Sequence, residues 1–114
     1  MRIPEDGLLI RIFIGESDRW DGKPLYEAIV LKARELHMAG ATVLRGPMGF
    51  GAKSHLHTTK ILRLSEDLPI VIELVDSKEN IDHFLPVIDQ MMDDGMVTLE
   101  KVRILRYRDK HPDR

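Results

Sequence analysis

The sequence contains no cysteine. That excludes structural disulfides, thiolate metal sites and cysteine nucleophiles. It also lacks a surplus of positive charge. Its 17 basic residues stand against 19 acidic ones, a net charge of −2. A general nucleic-acid binder would normally be basic, so no nucleic-acid partner is expected. No apolar run approaches the length needed to span a membrane, and membrane insertion is not expected. The opening residues, MRIPEDGLLIRIFIG, hold a short apolar run broken by Arg11, without a basic leader or a small-residue cleavage site. They do not read as a signal peptide, and a cytoplasmic location is the default expectation. Low-complexity sequence and an internal linker are absent too. The 114 residues are enough for one core, and the chain reads as one domain over 1–114.

What is present is a regular alternation of patterns. Leu8, Ile10, Ile12 and Ile14 recur with period two and predict a first strand, with Leu9, Arg11 and Phe13 on its other face. Pro24 suits the first turn of a helix carrying Leu25, Ala28, Ile29, Ala33 and Leu36, with Gly40 as its stop. Ala41 to Leu44 predicts a short second strand. PIVIELV, from Pro69 to Val75, is the clearest strand, rich in β-branched residues. Ser77 is placed to cap a second helix whose apolar stripe is Ile81, Phe84, Leu85, Ile88, Met91 and Met92. Pro86 inside that stripe predicts a kink or a later start, and Asp94-Gly95 predicts its end. Met96 to Tyr107 predicts a last strand. The order β-α-β, loop, β-α-β points to an α+β, ferredoxin-like βαββαβ sandwich. In it a four-stranded antiparallel sheet carries both helices on one face.

Two helices cover only one face of such a sheet. The other would carry Leu9, Arg11, Phe13, Val71, Glu73 and Val75, joined by Leu105 and Tyr107 if the last strand keeps its register. Burying a single Leu or Phe is worth roughly 1.5–3 kcal/mol, so this face favours a partner, expected to be further copies of the chain. Arg11 and Glu73 are expected to pair on it.

The segment from Arg45 to His57, RGPMGFGAKSHLH, looks most like a site. Three glycines (Gly46, Gly49, Gly51) suggest unusual backbone angles or close approach of something to the backbone. It is not a Walker loop, because Ala52 separates Gly51 from Lys53 and no apolar-periodic helix follows. A looser reading has backbone N–H groups cradling an anion, with Arg45, Lys53 and Lys60 adding charge. The competing reading is a connection that merely lets the chain turn, and both stay open on sequence grounds. His55 and His57 would share a face on a strand and could share a metal ion, but two ligands do not make a site. A triad from Ser54, His55 and Asp67 has no nucleophile elbow to support it, and no enzymatic activity is expected. Asp76, Asp89, Asp93 and Asp94 read as acids at helix ends or on a solvated helix face. Trp20, in a polar loop, is expected to pack beneath it rather than stack on a ligand.

Over Leu8 to Tyr107 the chain resembles the PII-like family called domain of unknown function 190. The resemblance is carried by GKPLYEAIVLKARELHMAGATV, RGPMGFGAKSHLH and LSEDLPIVIELVDS. Gly46, Gly49, Phe50, Gly51, Lys53, His55 and His57 match the family motif, as do Asp67, Leu68, Pro69 and the Val75-Asp76 pair. The resemblance implies the fold of the PII signalling proteins, a trimer whose sheets face inward, with nucleotides in clefts between subunits. It makes the segment 46–64 the candidate effector or target loop. That segment lacks a tyrosine that could be uridylylated. The expected function is therefore a non-catalytic, PII-like regulatory protein. It would bind a small anionic effector, an adenine nucleotide by analogy, through Arg45, Gly46, Gly49, Phe50, Gly51 and Lys53. The alternative is a trimeric metal-binding protein of the copper-tolerance type using His55 and His57.

Overall fold

The computed structural model describes residues 5–50, 57–58 and 67–108. β1 (Glu5–Gly15) is followed by a two-residue hairpin, β2 (Arg19–Trp20) and β3 (Lys23–Pro24), and by α1 (Leu25–Glu35). Next come β4 (Thr42–Arg45), β5 (Met48–Gly49), β6 (His57–Thr58), β7 (Pro69–Asp76), α2 (Lys78–Met91) and β8 (Met96–Ile104). The main sheet has the order β4-β7-β1-β8, and every pairing in it is antiparallel. This is the ferredoxin-like arrangement.

Period-two alternation sets the faces. Ile10, Ile12 and Ile14 of β1 and Ile70, Ile72 and Leu74 of β7 are buried. They pack with Leu25, Ala28, Ile29 and Ala33 of α1 and with Ile81, Phe84, Ile88 and Met91 of α2. Trp20 packs against this core, as expected. Its hairpin turns on Asp21 and Gly22, both at positive φ (49° and 80°), which an Asp-Gly pair accommodates readily.

Several boundaries differ from the sequence expectation. Pro24 is the N-cap of α1 rather than a first-turn residue. The helix ends at Glu35, and His37 takes the left-handed turn (φ 59°) that Gly40 was expected to supply. β4 runs one residue later than expected. Pro86 does not shift the start of α2, which begins directly after Ser77. The Ser77 hydroxyl accepts from the Asn80 N–H at 3.2 Å, so the expected cap is present. α2 ends at Met91, before Asp94-Gly95. Gly95 (φ 113°) then lets the chain enter β8, since a Cβ there would lie 2.5 Å from the Phe13 carbonyl oxygen. β8 stops at Ile104 rather than Tyr107. The Tyr107 hydroxyl donates instead to the Ala39 carbonyl at 3.2 Å.

Asp76 sits at a helix end, as expected, but it is buried rather than solvated. It is 1% exposed. Its carboxylate accepts from the Ala39 and Ser77 N–H groups, both at 2.7 Å, and from the Asn80 side-chain amide at 2.9 Å. A buried carboxylate needs such partners, and this one ties the end of α1 to the start of α2.

Candidate functional site

The site is built at one end of the sheet. There Gly15 pairs with Pro69, Ile70 pairs with Arg45, and the chain leaves β4 into the glycine-rich segment. The Gly46 N–H donates to the Pro69 carbonyl at 2.8 Å. A Cβ on Gly46 would lie 2.8 Å from the Pro69 ring, and one on Gly49 would lie 3.0 Å from it. These two glycines therefore admit a proline of the same chain, and the Gly46 N–H is engaged internally. That is a structural use of the glycines, alongside any role with a ligand.

Arg45, the first cation of the segment, forms an ion pair with Glu16 at 2.6 Å. Glu16 follows β1 and Arg45 ends β4, so the pair bridges across the start of β7, which lies between those strands. The turn bearing Glu16 is firmly held. The Glu16 N–H donates to the Leu68 carbonyl at 2.8 Å, the Ser17 N–H to the Asp67 carboxylate at 3.1 Å, and the Gly15 N–H to the Asp18 carboxylate at 2.9 Å. Sequence reasoning missed Glu16. Nothing local marks it, because its partner is brought to it by the strand order.

Met48-Gly49 pairs with His57-Thr58 as a short antiparallel ladder. Phe50 follows, 74% exposed. Gly51, Lys53 and His55 lie outside the described residues, as does most of the 46–64 segment. His57 is described through its backbone pairing with Gly49. Among the described residues no three His, Asp or Glu side chains gather to hold a metal. A groove of about 660 Å³ lies between α2 and β8, lined by residues such as Asp82, Asp89, Met92 and Val97. It includes none of the expected site residues.

The second face of the sheet carries what the sequence predicted. Pairing places Leu44, Val71, Phe13 and Met96 in one row and Thr42, Glu73, Arg11 and Thr98 in the next. Val75, Leu9 and Glu100 form the third. None of these apolar side chains joins the core under the helices. Leu44, Val75 and Met96 are exposed. Arg11 binds Glu73 at 2.8 Å, as expected, and also Glu100, a partner that only the β1–β8 register reveals. The hydrogen bond that Arg11 donates to Glu73 holds the guanidinium above its ordinary pKa, with a further contribution from Glu100. Leu105 lies beyond the last strand, and Tyr107 is committed to Ala39.

The family model for DUF190, described as Uncharacterized ACR, matches residues 7–104. The chain belongs to this family. A relative named UPF0166 protein from Aquifex aeolicus (strain VF5) is 36% identical over 97 residues, covering 85% of this chain and 91% of the relative. A UPF0166 protein of Methanocaldococcus jannaschii is 29% identical over 99 residues, covering 86% of this chain and 91% of the relative. Among solved structures, CPII is a nitrogen regulatory PII-like protein from Thiomonas intermedia K12, bound to ADP, AMP and bicarbonate. It superposes with a TM-score of 0.63 at 13% identity, over 90% of this chain and 91% of CPII. A putative PII-like signaling protein from Thermus thermophilus gives a TM-score of 0.63 at 15% identity, over 91% and 94% of the two chains. At these identities the likeness establishes the fold, which is PII-like. No described helix of this DUF190 protein is long and apolar enough to cross a membrane.

Proposed function

We propose that this DUF190 protein is a PII-like regulatory subunit without catalytic activity. Copies of it associate through the open sheet face, and each binds a small anionic effector, an adenine nucleotide, beside the glycine-rich segment. The observation that carries the reading is the apolar face formed by Leu9, Phe13, Leu44, Val71, Val75 and Met96, which neither helix covers. Its burial would be worth several kcal/mol per subunit, at roughly 1.5–3 kcal/mol for each large side chain fully covered. The internal Arg11–Glu73 pair makes the charges on that face tolerable in an interface. A trimer is the assembly the family resemblance favours. The nucleotide is suggested by CPII, whose structure holds ADP and AMP.

Arg45 and Lys53 are the proposed phosphate contacts, and Gly49 and Gly51 let the backbone come close. Gly46 is packed on Pro69 at the root of the segment. Phe50 is left to meet the base or a neighbouring copy. Effector binding would order the 46–64 segment and change its contact with a target protein. Calorimetry with ATP, ADP, AMP and cyclic nucleotides tests this. Heat of binding from at least one is expected, and silence from all at millimolar ligand removes the nucleotide from the proposal.

A further inference from the structure

We propose that Glu16 acts as an internal competitor for the effector, holding Arg45 until an anion displaces it. This rests on the reading that an anionic effector binds beside the segment that Arg45 opens. The carboxylate occupies the position on the guanidinium that a phosphate oxygen would take, at 2.6 Å. The geometry is asymmetric. The Arg45 side chain is 52% exposed and that of Glu16 only 24%. Glu16 also sits in a turn fixed by three hydrogen bonds from backbone N–H groups, so the arginine is the member free to swing away. Arg45 is the last residue of β4, and the next residue, Gly46, packs on the Pro69 ring.

Exchange of Arg45 from carboxylate to phosphate would then release the side-chain bridge across β7, leaving the backbone pairing of Arg45 with Ile70 in place. Guanidinium binds carboxylate and phosphate by the same planar, charge-assisted hydrogen bonds, so one can replace the other without a new type of contact. An ion pair open to solvent on its arginine side is weak enough to be displaced. The competitor thus lowers apparent affinity and couples occupancy to the loss of the Arg45–Glu16 bridge.

The test is calorimetric titration of ADP, ATP and inorganic phosphate into the full chain and its Glu16→Gln, Glu16→Ala and Arg45→Gln variants, each first checked for an unchanged circular-dichroism spectrum. Glu16→Gln and Glu16→Ala are expected to tighten ligand binding by roughly two- to five-fold, the range an exposed pair spans. Arg45→Gln is expected to weaken binding, and Glu16→Gln should add nothing in that background. If the parent protein binds a nucleotide and both Glu16 variants bind it equally or less well, the competitor role is overturned while the nucleotide reading survives. A tightening seen with inorganic phosphate alone supports the competitor and assigns the site to the free anion. Silence from the parent and from every variant overturns both.

Discussion

At the residue scale, backbone conformation and close packing explain positions that composition leaves ambiguous. His37 holds a left-handed backbone (φ 59°) at the end of α1, a conformation that strains an L-residue and leaves glycine relaxed. His37→Gly is expected to raise stability by about 0.5–1 kcal/mol, read as a higher urea midpoint with an unchanged slope. An unchanged or lower midpoint would show that the histidine side chain contributes more than the strain costs. Gly46 and Gly49 illustrate the opposite case. Their lack of a side chain is legible in the sequence, but the reason is not. The Pro69 ring that would meet a Cβ comes from a strand that starts about twenty residues further along. Glu16 was invisible for the same reason, since its guanidinium partner follows from strand order alone.

At the scale of elements, periodicity identified the main strands and both helices, because a half-buried strand or helix repeats its apolar residues at its own spacing. Boundaries were less legible. The β2–β3 hairpin was missed although Asp21-Gly22 carries its signal, because strands of two residues have no periodicity to detect. β8 was drawn too long because Leu105 and Tyr107 continue the apolar alternation. In the fold, Tyr107 turns to the Ala39 carbonyl. The second helix shows a local rule holding. Ser77 caps α2 and neighbours the buried Asp76, so both secure the same helix start. Ser77→Ala is expected to lower stability by about 1 kcal/mol, seen as a drop of several degrees in Tm. A change under about one degree would mean that Asp76 and water suffice to hold that end.

At the scale of the whole molecule, the sheet has one face packed on two helices and another that is apolar in patches and open. The Arg11–Glu73–Glu100 group at its middle is a cation shared between two anions. It places charge at the centre of a face whose other rows are largely apolar. Val75 is exposed, so Val75→Glu is expected to leave the fold intact and to break the proposed assembly. Light scattering after size exclusion should then fall from a multiple of 13.1 kDa to the mass of one chain, with the circular-dichroism spectrum retained. A parent protein that is itself monomeric at micromolar concentration would overturn the association through this face, and so would a Val75→Glu protein that still assembles.

The sequence by itself determined the two-layer architecture and the membership of a family. Alternation along a strand and the RGPMGFG pattern are local properties that survive reading in one dimension. Beyond the Arg11–Glu73 pair, the tertiary structure alone decided which charges meet. Glu16 faces Arg45, Glu100 joins Arg11, and Pro69 fills the space left by Gly46 and Gly49. Those contacts join residues far apart in the chain, and their partners are set by strand order and register, which no run of neighbouring residues encodes.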